Sequence, residues 1–344
     1  MPDYLEDLRE VIRRGHGSQL RKDSMLRKVR KLELRVKRGG GSIEEKGQRY
    51  LVDGLFGEKD DWMYRLCSAR LLRGDYSDWS GWECRNEWAM ATRQPSPNKR
   101  WGGPRDEVKT LAIYGEQGIG DEIMFASCIP EVQDLGIEVT IECDKRLESL
   151  FRRSFGCKTR PRDRRGENNL PLSLKRPEDA FIPLGDIPPL FRNSRASFVS
   201  RSFLKPDPLM VEKWSHLKGL TGIAWRGRRG KFKPEEFGLN NPVCLQYDSW
   251  EAETQGMIVP DIDLHNDFED LLGISANLEK VVTVPQTIVH FAGSQGITVE
   301  VVIPPVFSGR VLDQINYRYG LGGRMDWYHS VETFPNLNAW RQKR

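Results

Sequence analysis

The sequence has no long apolar run. No stretch approaches the roughly 20 consecutive apolar residues that a transmembrane helix needs, and the charged, acidic N-terminus is unlike a signal peptide. Hydrophobic residues make up 38% and charged residues 30% of the 344 residues, a balance typical of soluble globular proteins. We therefore predict a cytoplasmic protein without a membrane span, long enough for two domains and a small appendage.

Cysteine and histidine are also scarce and scattered. The six cysteines include no Cys-x-x-Cys pair, and no histidine stands at metal-ligand spacing. Several cysteines fall within apolar runs, so the sequence predicts buried, reduced thiols and argues against disulfides and a zinc site. The cysteines are Cys67, Cys84, Cys128, Cys143, Cys157 and Cys244.

The net charge of +4 is small but unevenly distributed. Between residues 21 and 38, nine Lys or Arg residues are opposed by only Asp23 and Glu33, and apolar residues recur at helical spacing. Two interpretations of this basic amphipathic helix stay open. In the first, the helix binds a phosphate backbone or an acidic partner. In the second, it is a solvated helix whose apolar stripe packs on a neighbour. The tentative nucleic-acid ligands are Arg27, Lys28, Arg30 and Lys31.

Residues 108–134 form the stretch around which the chain is organised. An apolar run from Thr110 to Tyr114 meets a glycine-rich loop, and the apolar spacing becomes helical after Asp121. This pattern predicts a strand, a tight loop and a helix, with a ligand crevice at the carboxyl end of the strand. Glycines at such a junction also occur for purely structural reasons. Asp121 is accordingly either an N-cap or a base that faces the crevice.

Further periodic segments follow in alternating order and predict parallel sheets in an α/β fold. Four helices are predicted before residue 74, the basic helix at 21–38 among them, and residues 161–180 and 181–217 are interpreted as a loop and a proline-rich crossover. The predicted strands are 138–143, 157–160, 220–224, 243–247, 280–284 and 298–303, and the predicted helices are 1–14, 42–55, 60–73, 145–155, 268–278 and 285–296.

Several motifs carry a resemblance when they are taken in order. They are LLRGDYSDWSGWECR, KRWGGP, EQGIGDEIMFASCIPEV, GIAWRG, LQY, VTVPQTIVHFAGSQG and DWYHSVETF near WRQ, and the matching segments cover residues about 66–344. This order resembles the GT-B domain of bacterial and phage tetratricopeptide-linked glycosyltransferases, which is related to the heptosyltransferase family. The resemblance implies two Rossmann-like domains that face a cleft, after a small TPR-like helical region, in a bacterial or phage-infected cell. The implied divisions are 1–98 (helical), 99–200 (acceptor) and 201–344 (nucleotide-sugar).

The same resemblance assigns roles to individual residues. Asp121 is the implied catalytic base, and a basic loop and a helix start bind the donor diphosphate. The implied donor-binding residues are Arg226, Arg228, Lys231, Gln286, Thr287, His290 and Gly293. The predicted acceptor loop contains Glu116, Gln117, Gly118 and Gly120, of which Glu116 and Gln117 either orient the acceptor or brace the loop. Pro285-Gln286 stands where the resembling proteins commonly have Asp-Thr, which is a departure within the donor site.

The predicted function is sugar transfer from a nucleotide-diphosphate sugar, inverting and metal-independent. No cofactor beyond this co-substrate is predicted, and Asp261-Ile262-Asp263 is interpreted as an exposed loop and not as a metal site. Two alternatives remain for the same fold. Basic segments at 21–38 and 158–165 favour a phage-type DNA-base glycosyltransferase with a nucleic-acid acceptor. The Pro285-Gln286 departure favours a binding or assembly protein that has lost catalysis.

Overall fold

The computed structural model describes residues 64, 67–68, 70–72, 74–85, 99–162, 177–198, 201–228, 230–304, 318–319 and 323–344. Within these residues the chain forms two larger sheets with helices packed on them. We call 99–198 the first unit and 201–344 the second unit. No helix in the described part of the chain has the length and apolar character to cross a membrane.

The first unit contains a five-stranded sheet in which every pair of neighbouring strands is parallel. Its strands are β1 (Lys99–Arg100), β2 (Thr110–Tyr114), β3 (Glu138–Cys143), β4 (Lys158–Pro161) and β5 (Ala180–Pro183), and its helices are α1 (Ile119–Ala126), α2 (Ile129–Gln133), α3 (Glu148–Phe155) and α4 (Pro188–Phe191). The spatial order is β1-β5-β2-β3-β4. Four of the five β2 residues are buried, as expected for a central strand covered on both faces.

The second unit contains a six-stranded sheet and a short separate hairpin. Its strands are β6 (Thr221–Ala224), β7 (Arg226–Gly227), β8 (Gly230–Lys231), β9 (Val243–Cys244), β10 (Lys280–Thr283), β11 (Thr298–Val302), β12 (Gly323–Arg324) and β13 (Val331–Phe334), and its helices are α5 (Pro208–Lys213), α6 (Phe268–Asn277), α7 (Ile288–Ser294) and α8 (Leu337–Lys343). The order is β12-β13-β11-β10-β6-β9, parallel except for β12, while β7 and β8 pair with each other. The predicted α/β class with parallel sheets is confirmed.

Both sheets change winding direction beside their first long strand. In the first unit the chain adds β3 and β4 on one side of β2 and then places β5 on the other side. In the second unit β9 lies on one side of β6, and β10 lies on the other. Ligand crevices in open α/β sheets form at the carboxyl ends of strands at such switch points. Loops 115–118 and 285–287 both leave their sheets there.

The main error of the sequence interpretation concerns residues 181–217. This segment was expected to be a proline-rich crossover, but it begins inside β5, which pairs with the central strand β2. Proline is the last residue of that strand, where a missing N–H disturbs the ladder little. The helices predicted at 1–14 and 42–55 and the basic helix at 21–38 lie outside the described residues. Cys67, Cys128, Cys143 and Cys244 are buried, and Cys157 is half-buried.

Candidate functional site

The loop after β2 is held in a strained shape by buried contacts. Gln117 has φ 61°, a left-handed conformation that costs free energy for a residue with a side chain. The Arg162 guanidinium donates to the Gly115 carbonyl at 2.8 Å and to the Gln117 carbonyl at 3.3 Å. The loop is therefore fixed by the chain that follows β4. The predicted acceptor residues Gly118 and Gly120 stand at the end of this loop and in the first turn of α1.

Asp121 lies in the first turn of α1 and faces the second unit. Its Oδ1 accepts a hydrogen bond from Arg318 Nε at 2.6 Å, and its Oδ2 is 3.4 Å from the Gly118 backbone nitrogen that donates to it. The long second contact makes a weak cap, whereas the first is a charge-assisted bond. The carboxylate thus meets a cation contributed by the other unit.

His290 lies on α7 directly opposite α1 and is 2% exposed. Its Nδ1 is 3.1 Å from Tyr328 Oη, and its Nε2 is 3.4 Å from Tyr319 Oη. A Cβ added to Gly120 would lie 2.7 Å from His290 Cδ2, so only glycine permits this approach of the two helices. Burial lowers the pKa of His290 to about 4, with Asp121 opposing the shift and Arg318 adding to it. The imidazole is therefore neutral at pH 7.

The remaining predicted donor residues on α7 fall into two groups. Gln286 and Thr287 are half-buried before the first turn of α7, and the Gln286 carbonyl accepts from Tyr319 Oη at 3.4 Å. Gly293, in contrast, packs beneath Tyr328, because a Cβ at this position would lie 2.9 Å from the tyrosine ring. Gln286 and Thr287 stand at the switch point, and Gly293 stands in a helix contact.

The predicted basic loop is the β7–β8 hairpin. Arg226 donates to both carboxylate oxygens of Glu253, at 3.2 and 3.3 Å, and to the Asp248 carbonyl at 2.6 Å. Its charge is therefore already paired, while Arg228 and Lys231 are exposed. A Cβ on Gly227 would lie 2.5 Å from the Pro285 carbonyl oxygen, so the hairpin packs on the segment that leads into α7.

Sequence reasoning missed the cation and the tyrosine that complete this cluster. Arg318 is 197 residues away from Asp121, and Tyr319 is 29 residues away from His290. No sequence motif connects the two members of either pair. Among the described residues, no group of three His, Cys, Asp or Glu side chains is arranged to hold a metal ion. Asp261 and Asp263 lie on an exposed loop, as expected. The tentative nucleic-acid residues Arg27, Lys28, Arg30 and Lys31 are outside the described part of the chain.

Comparisons with known proteins give a distant set of relatives. No family model matches the chain. Protein FlbA of Caulobacter vibrioides is 29% identical over 300 residues, an alignment that covers 74% of this chain and 48% of that protein, so the chain spans about half the length of this curated relative.

The solved structures that this chain resembles include glycosyltransferases. The glycosyl transferase family 9 structure from Veillonella parvula has 12% identity and a TM-score of 0.43, covering 60% of this chain and 84% of its own. E. coli heptosyltransferase WaaC with ADP-2-deoxy-2-fluoro heptose has 12% identity and a TM-score of 0.41, covering 68% and 98%.

Proposed function

We propose that this protein is a glycosyltransferase of the GT-B type that transfers a sugar from a nucleotide-diphosphate sugar, with inversion and without a metal ion. One observation carries the proposal. Asp121, from the switch-point helix of the first unit, pairs with Arg318 of the second unit beside the buried, neutral His290, while Asp121 and Arg318 themselves are half-buried. A base from one half and a cation from the other are what sugar transfer from a diphosphate requires.

In this proposal Asp121 removes the proton of the acceptor hydroxyl. Arg318 Nε donates to Asp121 Oδ1 at 2.6 Å. A diphosphate offers the same guanidinium two parallel hydrogen bonds and more negative charge. Donor binding would therefore draw Arg318 to the leaving group and release Asp121 for the acceptor.

The second unit supplies the donor site in the proposal. Gln286 and Thr287 would donate hydrogen bonds to the nucleotide-sugar, and the exposed Arg228 and Lys231 would approach the diphosphate from the hairpin packed on Pro285. Arg226 would act through its pairing with Glu253 by holding the hairpin in place. Pro285-Gln286 stands where the resembling proteins have Asp-Thr, and Thr287 would supply the missing hydroxyl from one position later.

Substitution of Asp121 by Asn tests the role of the base. We expect transfer to fall at least about 100-fold, since general bases contribute about 10² to 10⁴ in rate, while donor affinity changes little. The assay is product formation from a panel of nucleotide-diphosphate sugars, ADP-heptose included, with calorimetric titration of each donor. Asp134→Asn is the matched control, because Asp134 is an aspartate with a 73% exposed side chain in the same unit.

Two results would count against the proposal. Unchanged turnover in Asp121→Asn would remove this residue from the mechanism. A wild-type chain that binds no donor in the panel would instead favour a binding or assembly protein that has lost catalysis.

A further inference from the structure

The segment 76–85 precedes the first sheet in the chain, yet the side chains of Tyr76, Trp82 and Arg85 are buried. Trp82 Nε1 donates to the Gly185 carbonyl at 2.6 Å, and its ring lies edge-on to Phe125 of α1, with 5.9 Å between centroids. Trp79 Nε1 donates to the Arg192 carbonyl at 2.7 Å. The polypeptide before residue 99 therefore contributes directly to the core of the first unit.

Arg85 ends this segment with a guanidinium whose side chain is 0% exposed. Its Nε donates to Glu116 Oε1 at 2.8 Å, its Nη2 contacts the same oxygen, and its Nη1 donates to Asp186 Oδ1 at 2.7 Å. Arg100 pairs with the other oxygen of Asp186. Two cations thus balance two carboxylates.

These two carboxylates stand just past the carboxyl ends of β2 and β5, on either side of the switch point. The fit between them leaves no spare room, because a Cβ on Gly185 would lie 1.8 Å from Glu116 Oε1 and 2.9 Å from Arg85 Nε. The strained Gln117 follows Glu116 directly. The position of the Glu116 side chain therefore determines where the loop turns towards α1.

We propose that Arg85 is a positioning residue for the proposed transfer site: it holds Glu116 and Asp186 together and so fixes loop 115–118 and the helix that carries Asp121. The role of Arg85 in transfer rests on the proposed function. Its structural coupling to loop 115–118 does not. Because the donor residues belong to the second unit, the loss of Arg85 impairs transfer more than donor binding.

The charges around Glu116 make the stability of a chain without Arg85 depend on pH. Burial raises the pKa of Glu116, the charge of Arg85 lowers it, and the charges of Asp186 and Asp121 raise it. Arg100 faces the same network through Asp186. Without Arg85, Glu116 stays buried only when it is protonated. The free energy of unfolding therefore falls progressively as the pH rises above the ordinary glutamate pKa of about 4.3.

The experiment uses the full chain with Arg85→Met, Arg85→Lys, Glu116→Gln and the double variant Arg85→Met/Glu116→Gln. We expect the Tm of Arg85→Met to fall increasingly below the wild-type Tm between pH 5 and pH 8. The double variant recovers most of this loss and removes its pH dependence. Arg85→Lys is intermediate, since one ammonium group cannot bind two carboxylates as a planar guanidinium does. Arg152→Met, on the exposed face of α3, is the control that changes none of these readouts.

Two further readouts separate positioning from simple stabilisation. Hydrogen exchange of amides 116–118 should be faster in Arg85→Met and return towards wild type in the double variant. In the transfer assay we expect kcat to fall at least 10-fold in Arg85→Met with donor KM within about 2-fold. A double variant no better than Arg85→Met, or loop exchange unchanged in all variants, overturns the coupling. If wild type transfers no sugar, the proposed function fails while the exchange and Tm measurements still decide the role of Arg85.

Discussion

At the scale of single residues, His290 shows how burial sets the charge of the site. Its ring is enclosed by Tyr319, Tyr328 and Gly120, so the folded chain binds this proton only below about pH 4. An unfolded histidine binds it below about pH 6.5. Since the unfolded chain takes up more protons between these values, the free energy of unfolding falls as the pH drops from about 6.5 to about 4.

Substitution of His290 by Gln should remove about 3 kcal/mol of this pH dependence, the size that corresponds to the difference between the two pKa values. The measurement is urea unfolding between pH 4 and pH 7, compared with wild type. His216→Gln serves as control, because His216 is an exposed histidine outside the cluster. A wild-type slope retained in His290→Gln would show that another group is responsible.

At the scale of elements, one side chain of α1 joins the loops after three neighbouring strands. Glu122 accepts from the Asp144 backbone nitrogen at 2.9 Å, and its carboxylate pairs with Arg162 at 2.8 Å. A Cβ on Gly115 would lie 2.5 Å from Glu122 Oε2. The glutamate is 0% exposed, so its charge depends on these partners.

Substitution of Arg162 by Met should therefore destabilise the fold by about 3–5 kcal/mol, the usual effect of breaking a buried ion pair from one side. Arg152→Met should cost no more than about 0.5 kcal/mol, because Arg152 is 58% exposed and pairs with Glu148 along α3. Chemical denaturation measures both. Equal small losses for the two variants would contradict the view that Arg162 anchors the loop.

At the scale of the whole molecule, the two units are joined through aromatic side chains as well as through the site. Trp327 of the second unit lies 6.0 Å from the Phe125 ring and 5.1 Å from the Phe198 ring, both of the first unit. Tyr76 Oη donates to Asp326 at 2.7 Å, which connects the segment before β1 to the second unit. We expect the units to unfold together.

Substitution of Trp327 by Ala should cost about 3–5 kcal/mol, because it empties a buried aromatic site. Scanning calorimetry should show one transition for wild type and a lower Tm or two transitions for the variant. Trp250→Ala is the control, since Trp250 is 70% exposed and its loss should stay within about 0.5 kcal/mol. Two separate transitions in wild type would show that the interface does not couple the units.

Sequence periodicity predicted most elements of the two sheets, because buried parallel strands and amphipathic helices leave local signals. Strands β2, β3 and β10 appear close to the expected bounds. β5 was missed, since its one proline and the prolines that follow at 188–189 conceal a strand whose burial depends on distant neighbours. For the same reason, no local pattern indicated that Arg318 pairs with Asp121.

The sequence by itself determined the alternation of strands and helices, the absence of a long apolar run and the position of the glycine loop before Asp121. Those features follow from residue type and short-range spacing. Only the tertiary structure decided that Arg226 is neutralised by Glu253, that Arg85 reaches Glu116 and that Arg318 and His290 converge on α1. Such pairings join residues far apart in the chain, and they form only where the folded backbone excludes water and brings the charges within contact.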